Sequence, residues 1–113
     1  MTRKRLYKAI NFDLDTKKLR ERFGENGRRM AYGRIQFFLT KNGFVHRQWS
    51  GYTSQMPMSY EETYAVVDQL AESNDWLADC VNRFDATNVT TETDMVNVIR
   101  SHQSDLQGFP DIR

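Results

Sequence analysis

The chain has 113 residues, which suits a single domain, and its formal net charge is only +1. Aromatic residues make up 12% of the sequence, which is ample for a folded core and argues against a disordered chain. The single cysteine, Cys80, cannot form an internal disulfide and excludes a cysteine-rich zinc site, so a reducing cytoplasm is the expected location. No long apolar segment follows the basic start, and neither a signal peptide nor a membrane-spanning helix is predicted.

The near-neutral total hides two halves of opposite charge. Residues 1–50 contain 13 Lys/Arg and four carboxylates, whereas residues 51–113 contain three Lys/Arg and 11 carboxylates. A strongly basic half is typical of a protein that holds a polyanion such as RNA. Like charges are also common on solvated surfaces, so the charge pattern alone leaves both interpretations open.

Residues 6–14 alternate as a half-buried strand does. One parity holds Leu6, Lys8, Ile10, Phe12 and Leu14, and the other holds Tyr7, Ala9, Asn11 and Asp13. Strict alternation predicts a strand with one apolar face and one mixed face. Asp13 is expected on the mixed face, away from the main core.

Two consecutive helices are predicted after this strand. Asp15-Thr16 is a helix-start signal, and Asp15 is interpreted as the N-cap. The glycine-containing segment 24–27 interrupts the helix, and a longer helix runs to about Lys41, where Asn42-Gly43 stops it. The longer helix is expected to bury Ala31, Ile35, Phe38 and Leu39 and to expose Arg28, Arg29 and Arg34.

The middle of the chain predicts a hairpin and another helix. Residues 44–49 and 52–56 are interpreted as the two strands of the hairpin. Ser59-Tyr-Glu-Glu62 is a capping box. The helix that follows it carries an apolar row made of Tyr60, Tyr64, Val67, Leu70 and Ala71.

The remaining residues predict one more strand and a last helix. Residues 76–81 give one or two helical turns, residues 84–90 a weaker strand, and residues 91–101 a terminal helix. The order β-α-β-β-α-β plus a C-terminal helix predicts an α+β, ferredoxin-like sandwich over residues 6–101. A basic leader (1–5) precedes this domain and a polar tail (102–113) follows it. The first strand would be central, and one face of the sheet would stay open.

Several segments taken in order resemble the VapD family of virulence-associated bacterial proteins. They are Asn11-Phe-Asp-Leu14, the basic helix, Phe44 after Asn42-Gly43, and Ser50-Gly-Tyr52. The segment from Cys80 to Ile99 is similar to the same family, so that the resemblance extends over residues 7–101. The hairpin around Trp49 aligns only loosely, and the family does not require the second carboxylate, Asp15.

The resemblance implies a ferredoxin-like homodimer with endoribonuclease activity. Some members are toxins of toxin–antitoxin pairs, and the fold is similar to that of the small nuclease-type subunit of CRISPR spacer acquisition. In both groups the proposed catalytic residue is an Asp at the end of the first strand. That position matches Asp13 in this chain.

Asp13 is therefore the candidate catalytic residue, although an Asp at a strand end also often caps a turn. In a symmetric dimer two Asp13 side chains could approach each other and share a weakly bound Mg²⁺. Five basic residues are candidates for contacts with the RNA backbone: Lys17, Lys18, Arg28, Arg29 and Arg34.

Three residues with aromatic rings each allow a functional and a structural interpretation. His46 could be a general base for a ribose hydroxyl, but lone strand histidines are more often structural. Trp49 and Tyr52 could stack on RNA bases, or they could pack within the hairpin or against a second copy.

The function expected from these observations is that of an endoribonuclease toxin that cleaves RNA with Asp13 at a dimer axis. RNA and an antitoxin protein are the expected partners, and no membrane is involved. The alternatives are a ferredoxin-like dimer that binds RNA without cleaving it, or one that binds a protein. Against the first alternative, strands one and four lack the aromatic signature of sheet-type RNA binders.

Overall fold

The architecture is that of a computed structural model, which describes residues 5–89. The elements within these residues are β1 Tyr7–Leu14, α1 Thr16–Phe23, α2 Gly27–Lys41, β2 Phe44–Gln48, β3 Gly51–Ser54, α3 Tyr60–Ser73, α4 Leu77–Cys80 and β4 Val81–Val89. The predicted terminal helix, the polar tail and residues 1–4 of the basic leader lie outside the described residues.

Strand β1 lies inside a four-stranded antiparallel sheet with the strand order β2-β3-β1-β4. Its neighbours are β3, where Ile10 pairs with Tyr52, and β4, where Phe12 pairs with Phe84. The predicted central position of the first strand is confirmed. The fold is mixed α+β, and its strand order is compatible with the ferredoxin-like arrangement.

The two faces of β1 differ as the alternation predicts. Ile10, Phe12 and Leu14 are buried, whereas Tyr7 and Asp13 are exposed. The buried face joins helix side chains in one core, made of Ile10, Phe12, Leu14, Leu19, Ala31, Tyr32, Ile35, Leu39, Phe44, Tyr52, Leu70, Trp76, Leu77 and Cys80. No β1 residue of the other parity (Tyr7, Ala9, Asn11 and Asp13) belongs to that core, and this side of the sheet is called the open face below.

Helices α1 and α2 follow the local signals in the sequence. Asp15 is the N-cap of α1, since its Oδ1 accepts a hydrogen bond of 3.1 Å from the backbone amide of Lys18. Gly43 follows α2 with a φ of 89°, the left-handed conformation that favours glycine at a helix end. The predicted buried and exposed positions of α2 are confirmed, with Phe38 half-buried.

Helix α3 begins with the predicted capping box, in which Ser59 and Glu62 bond each other's backbone amides. The predicted apolar row is wrong at three positions: Tyr60 and Tyr64 are 66% and 63% exposed, and Ala71 is exposed as well. Thr63 is buried instead, and its hydroxyl donates to the Ser59 carbonyl at 3.0 Å. Because that bond satisfies the hydroxyl, the small Thr63 faces the core and the larger tyrosines lie outside it.

The largest differences from the predicted strand boundaries are the end of β3 and the start of β4; the end of β2 and the start of β3 each differ by one residue. β3 ends at Ser54 rather than at residue 56, because the Ser54 hydroxyl donates to the Met56 carbonyl (2.8 Å) and turns the chain away from the sheet. β4 begins at Val81 rather than at residue 84, because the chain leaves α4 at Cys80 and Val81 pairs with Leu14. The longer β4 brings residues 81–83 beside the end of β1.

Candidate active site

Asp13 lies next to the last residue of the central strand, and its side chain is exposed on the open face. Its partner on β4 is Arg83, and the following residue, Leu14, returns to the core. Two residues further on, Asp15 is engaged as the cap of α1. The predicted placement of Asp13 on the mixed face is confirmed, and its catalytic role stays a prediction.

An irregularity in the β1–β4 ladder brings an amide group to Asp13. Asp13 pairs with Arg83 and Leu14 pairs with Val81, so Asn82 is an extra residue on β4. The Nδ2 of Asn82 donates a hydrogen bond of 3.4 Å to Oδ2 of Asp13. Bulges are frequent beside active sites because they redirect a side chain. This bulge gives the carboxylate a neutral hydrogen-bond donor.

A cation and a second carboxylate lie beside Asp13 on β4. Arg83 is opposite Asp13, and its Nε lies 2.8 Å from Oδ2 of Asp85. Both partners of this ion pair are exposed, so solvent screens it and Arg83 can exchange Asp85 for a phosphate at little cost. Sequence reasoning missed Arg83 and Asn82 because the predicted strand began at residue 84. Arg83 could have been identified from the alternation of polar residues at positions 83, 85 and 87, which is typical of one exposed face of a strand.

The five basic residues predicted to bind RNA are all exposed, but they do not line one pocket. Lys17 and Lys18 lie in the first turn of α1. Arg28 lines a polar pocket of about 390 Å³ between the starts of α1 and α2, together with Thr16, Arg20 and Glu25. Arg29 and Arg34 line a different groove, together with Met30, Gly33, Phe37, Phe38, Ser73 and Asn74.

The structure separates the three ring-bearing candidates. Tyr52 is buried in the core, and this burial raises its pKa to about 12. His46 lies on the helix-covered side, where its ring stacks on Tyr52 at 4.7 Å between centroids and its Nε2 lies 3.4 Å from the Trp49 carbonyl oxygen. Within one subunit, His46 and Asp13 are thus on opposite faces of the sheet and cannot act as a pair. Trp49 is exposed at the β2–β3 turn.

The side chains near Asp13 do not form a metal site by themselves. Within residues 5–89, no group of three or more His, Cys, Asp or Glu side chains could hold a metal ion. Asp85 is paired with Arg83, and Asp15 caps α1. Because Mg²⁺ requires octahedral oxygen ligands, residues 5–89 of one subunit do not fit a resident Mg²⁺.

Comparison with curated proteins finds a distant relative. The chain is 26% identical over 91 residues to a protein named endoribonuclease VapD 2, from Riemerella anatipestifer. The alignment covers 80% of this chain and 97% of that protein. The similarity supports the resemblance to the VapD family. No protein-family profile matches the sequence.

A membrane-spanning helix must be both long and apolar. In the part of the chain that the structure describes, no helix is both long enough and apolar enough to cross a bilayer.

Proposed function

We propose that the protein is a ferredoxin-like endoribonuclease of the VapD type, which cleaves RNA phosphodiester bonds with Asp13. The observation that carries the proposal is the exposed Asp13 carboxylate at the end of the central strand, bonded by Asn82 and faced by Arg83. Similarity to a protein named endoribonuclease VapD 2, over 80% of the chain, supports the same activity.

In the proposed mechanism Asp13 is the general base. Its carboxylate accepts a proton from the attacking group, which is either a water molecule or a ribose hydroxyl, while the new P–O bond forms. The bond from phosphorus to the leaving oxygen breaks, and that oxygen takes a proton from water. Arg83 lies on the same side of the sheet and can offset the charge that develops on the phosphate.

A homodimer with Asp13 near its axis is part of the proposal. Tyr7 is exposed on the open face and Ala9 is half-buried there, so a second copy packing on this face would cover apolar surface. It would also supply a second carboxylate beside the first. A dimer is expected in sedimentation at micromolar concentration, and a monomer would rule out the paired aspartates.

The proposed biological role is that of a toxin in a toxin–antitoxin pair, which rests on the VapD resemblance. The partner would be an antitoxin protein. Expression of the wild-type chain without that partner is expected to arrest growth. Expression of Asp13→Asn at the same level is expected to leave growth normal.

The experiment that tests the activity is cleavage of a defined RNA by the wild type and by Asp13→Asn, with Mg²⁺ and with EDTA. Loss of the general base is expected to lower the rate by roughly 10²- to 10⁴-fold. Asp15→Asn is the matched control: it removes a carboxylate two residues away, and Asn is as good an N-cap as Asp. This control is expected to cleave like the wild type.

The other outcomes identify which part of the proposal is wrong. Equal cleavage by the wild type and Asp13→Asn would exclude Asp13 as the base. RNA binding without cleavage by either protein would favour the non-catalytic RNA-binding dimer. In that case Arg28→Ala is expected to weaken binding and reduce its salt dependence. The EDTA samples report whether RNA and a second subunit complete a Mg²⁺ site that residues 5–89 of one subunit do not form alone.

A further inference from the structure

Trp49 presents one ring face to the protein and the other to solvent. Its indole stacks on Tyr32, with ring centroids 4.9 Å apart and planes inclined by 29°. Tyr32 is itself buried in the core, so it holds the inner face of the indole in place. Trp49 as a whole is 54% exposed, an unusual degree for the largest apolar side chain.

Arg28 lies beside this aromatic pair and does not cover the outer face of the indole. Its guanidinium carbon is 5.7 Å from the Tyr32 centroid and 5.6 Å from the Trp49 centroid. With the 4.9 Å between the rings, these distances form a nearly equilateral triangle. A cation on the outer face of Trp49 would lie much farther from Tyr32 than from Trp49. The outer face is therefore not covered by Arg28, and 54% of Trp49 is exposed to solvent.

The Trp49 turn lies at the same end of the sheet as Asp13. The backbone amide of Phe12 donates to the Ser50 carbonyl at 3.1 Å, and Asn11 pairs with Gly51. A side chain at position 51 would meet Gln48 Cγ at 2.8 Å and Asn11 Oδ1 at 3.1 Å, so glycine allows the turn to lie close to β1. The hydrogen bond between Phe12 and Ser50 thus holds the Trp49 turn beside the residue that precedes Asp13.

We propose that the outer face of Trp49 is a stacking site for an unpaired base of the RNA substrate, which makes single-stranded RNA the substrate class. This rests on the proposed function only in taking RNA as the ligand. Stacking on an exposed, fixed aromatic ring is the usual way in which proteins hold an unpaired base. Arg28 and Arg20 line the adjoining pocket, where a neighbouring phosphate finds two cations and one carboxylate, Glu25.

The charge and the position of the turn favour RNA over a second copy of this chain as the occupant. The Arg28 guanidinium, 5.6 Å from the indole centroid, suits a phosphate, and Trp49 lies at the end of the sheet rather than on the open face proposed for the dimer. A dimer contact through Trp49 is the alternative. It would appear as a change in sedimentation when Trp49 is replaced.

The test measures binding of labelled RNA in the Asp13→Asn background, where cleavage does not interfere. Two probes of one sequence are compared, a single strand and the perfect duplex. Trp49→Leu is expected to weaken binding of the single strand by at least about fivefold, the loss of one stacked base. Binding of the duplex is expected to stay unchanged, and Trp49→Phe is expected to restore most of the single-strand affinity.

Two controls exclude a folding defect and a general loss of apolar surface. Tyr64→Leu removes an aromatic ring that is 63% exposed on α3, and it is expected to leave RNA binding unchanged. Tryptophan fluorescence gives a direct signal, since the other tryptophan, Trp76, is buried. Single-stranded RNA should quench the emission of the parent protein and leave that of Trp49→Leu unaffected. A thermal melt confirms that each variant is folded.

Unchanged single-strand binding by Trp49→Leu would overturn the inference, and so would an equal loss for the duplex. Altered sedimentation of Trp49→Leu with normal RNA binding would assign the residue to a dimer contact. These results are independent of the cleavage test. Base stacking without cleavage would disprove the nuclease activity and support the binding site. Cleavage by the wild type, with RNA binding unchanged in Trp49→Leu, would support the nuclease activity and disprove the binding site.

Discussion

Phe12 and Asp13 are adjacent in one strand, yet they belong to different environments. Phe12 faces the helices and lies between three aromatic rings, with centroids of Tyr32, Tyr52 and Phe84 at 5.6, 6.1 and 5.4 Å. Asp13 faces the open side of the sheet, where it has an amide neighbour and solvent. Because side chains alternate along a strand, one peptide unit separates a residue that stabilises the fold from one available for chemistry.

This difference indicates how the chain combines stability with a reactive surface. The helix-covered face is filled by apolar side chains that cannot be changed without a cavity. The open face tolerates a bulge, an exposed ion pair and an exposed carboxylate, since each of these stays in contact with water. If the two faces are independent, a change on one of them should leave the property that depends on the other unaltered.

The largest expected effect is on the covered face. Phe12→Ala is expected to lower the free energy of unfolding by roughly 3–5 kcal/mol, because it leaves a cavity among three packed rings. Asp13→Asn is expected to change it by no more than about 0.5 kcal/mol, as is usual for an exposed position. Urea unfolding of both variants measures the contrast. Similar losses for the two would show that the faces are not independent.

Asn82→Ala tests the bulge as a device that positions Asp13. Losing this long, exposed hydrogen bond, worth about 0.5–1.5 kcal/mol, is expected to lower kcat by roughly 2- to 10-fold. KM is expected to stay unchanged, because Asn82 contacts the carboxylate and not the basic pockets. A rise in KM at constant kcat would instead assign Asn82 to substrate binding. The melting temperature serves as the control for a purely structural effect.

The smallest expected effect is a pH dependence of stability on the helical side. The hydrogen bond from the Ser59 backbone amide, helped by the nearby Arg5 charge, holds the pKa of Glu62 below its ordinary value of 4.5. A carboxylate with a lowered folded-state pKa stabilises the fold above its ordinary pKa, and this contribution is lost as the pH falls through the folded-state value. Glu62→Gln should lack this acid-dependent loss.

Urea unfolding of the wild type and Glu62→Gln, measured from neutral pH down to about pH 3, provides the comparison. The difference in stability between the two proteins is expected to shrink below pH 4.5 and to be constant above it. RNA cleavage at neutral pH should be alike in both, since Glu62 is not on the open face. A difference that is flat over the whole range would contradict the assigned cause.

Local signals in the sequence were enough to predict most elements. Asp15, the capping box at Ser59, and Asn42-Gly43 act within a few residues of themselves, so their effects do not depend on the rest of the fold. The alternation in β1 placed Asp13 on the mixed face for the same reason. The exposure of Tyr60 and Tyr64 could not be predicted, because it depends on which side of α3 meets the core.

The sequence by itself determined the order of strands and helices, the two faces of β1 and the basic character of the first half, since these follow from neighbouring residues and composition. Only the tertiary structure decided what surrounds Asp13 and Trp49. The bulge at Asn82 and the position of Arg83 arise from pairing between strands about 70 residues apart along the chain. The Trp49–Tyr32–Arg28 cluster likewise joins a turn to a helix. Long-range contacts of this kind depend on packing, which no local pattern encodes.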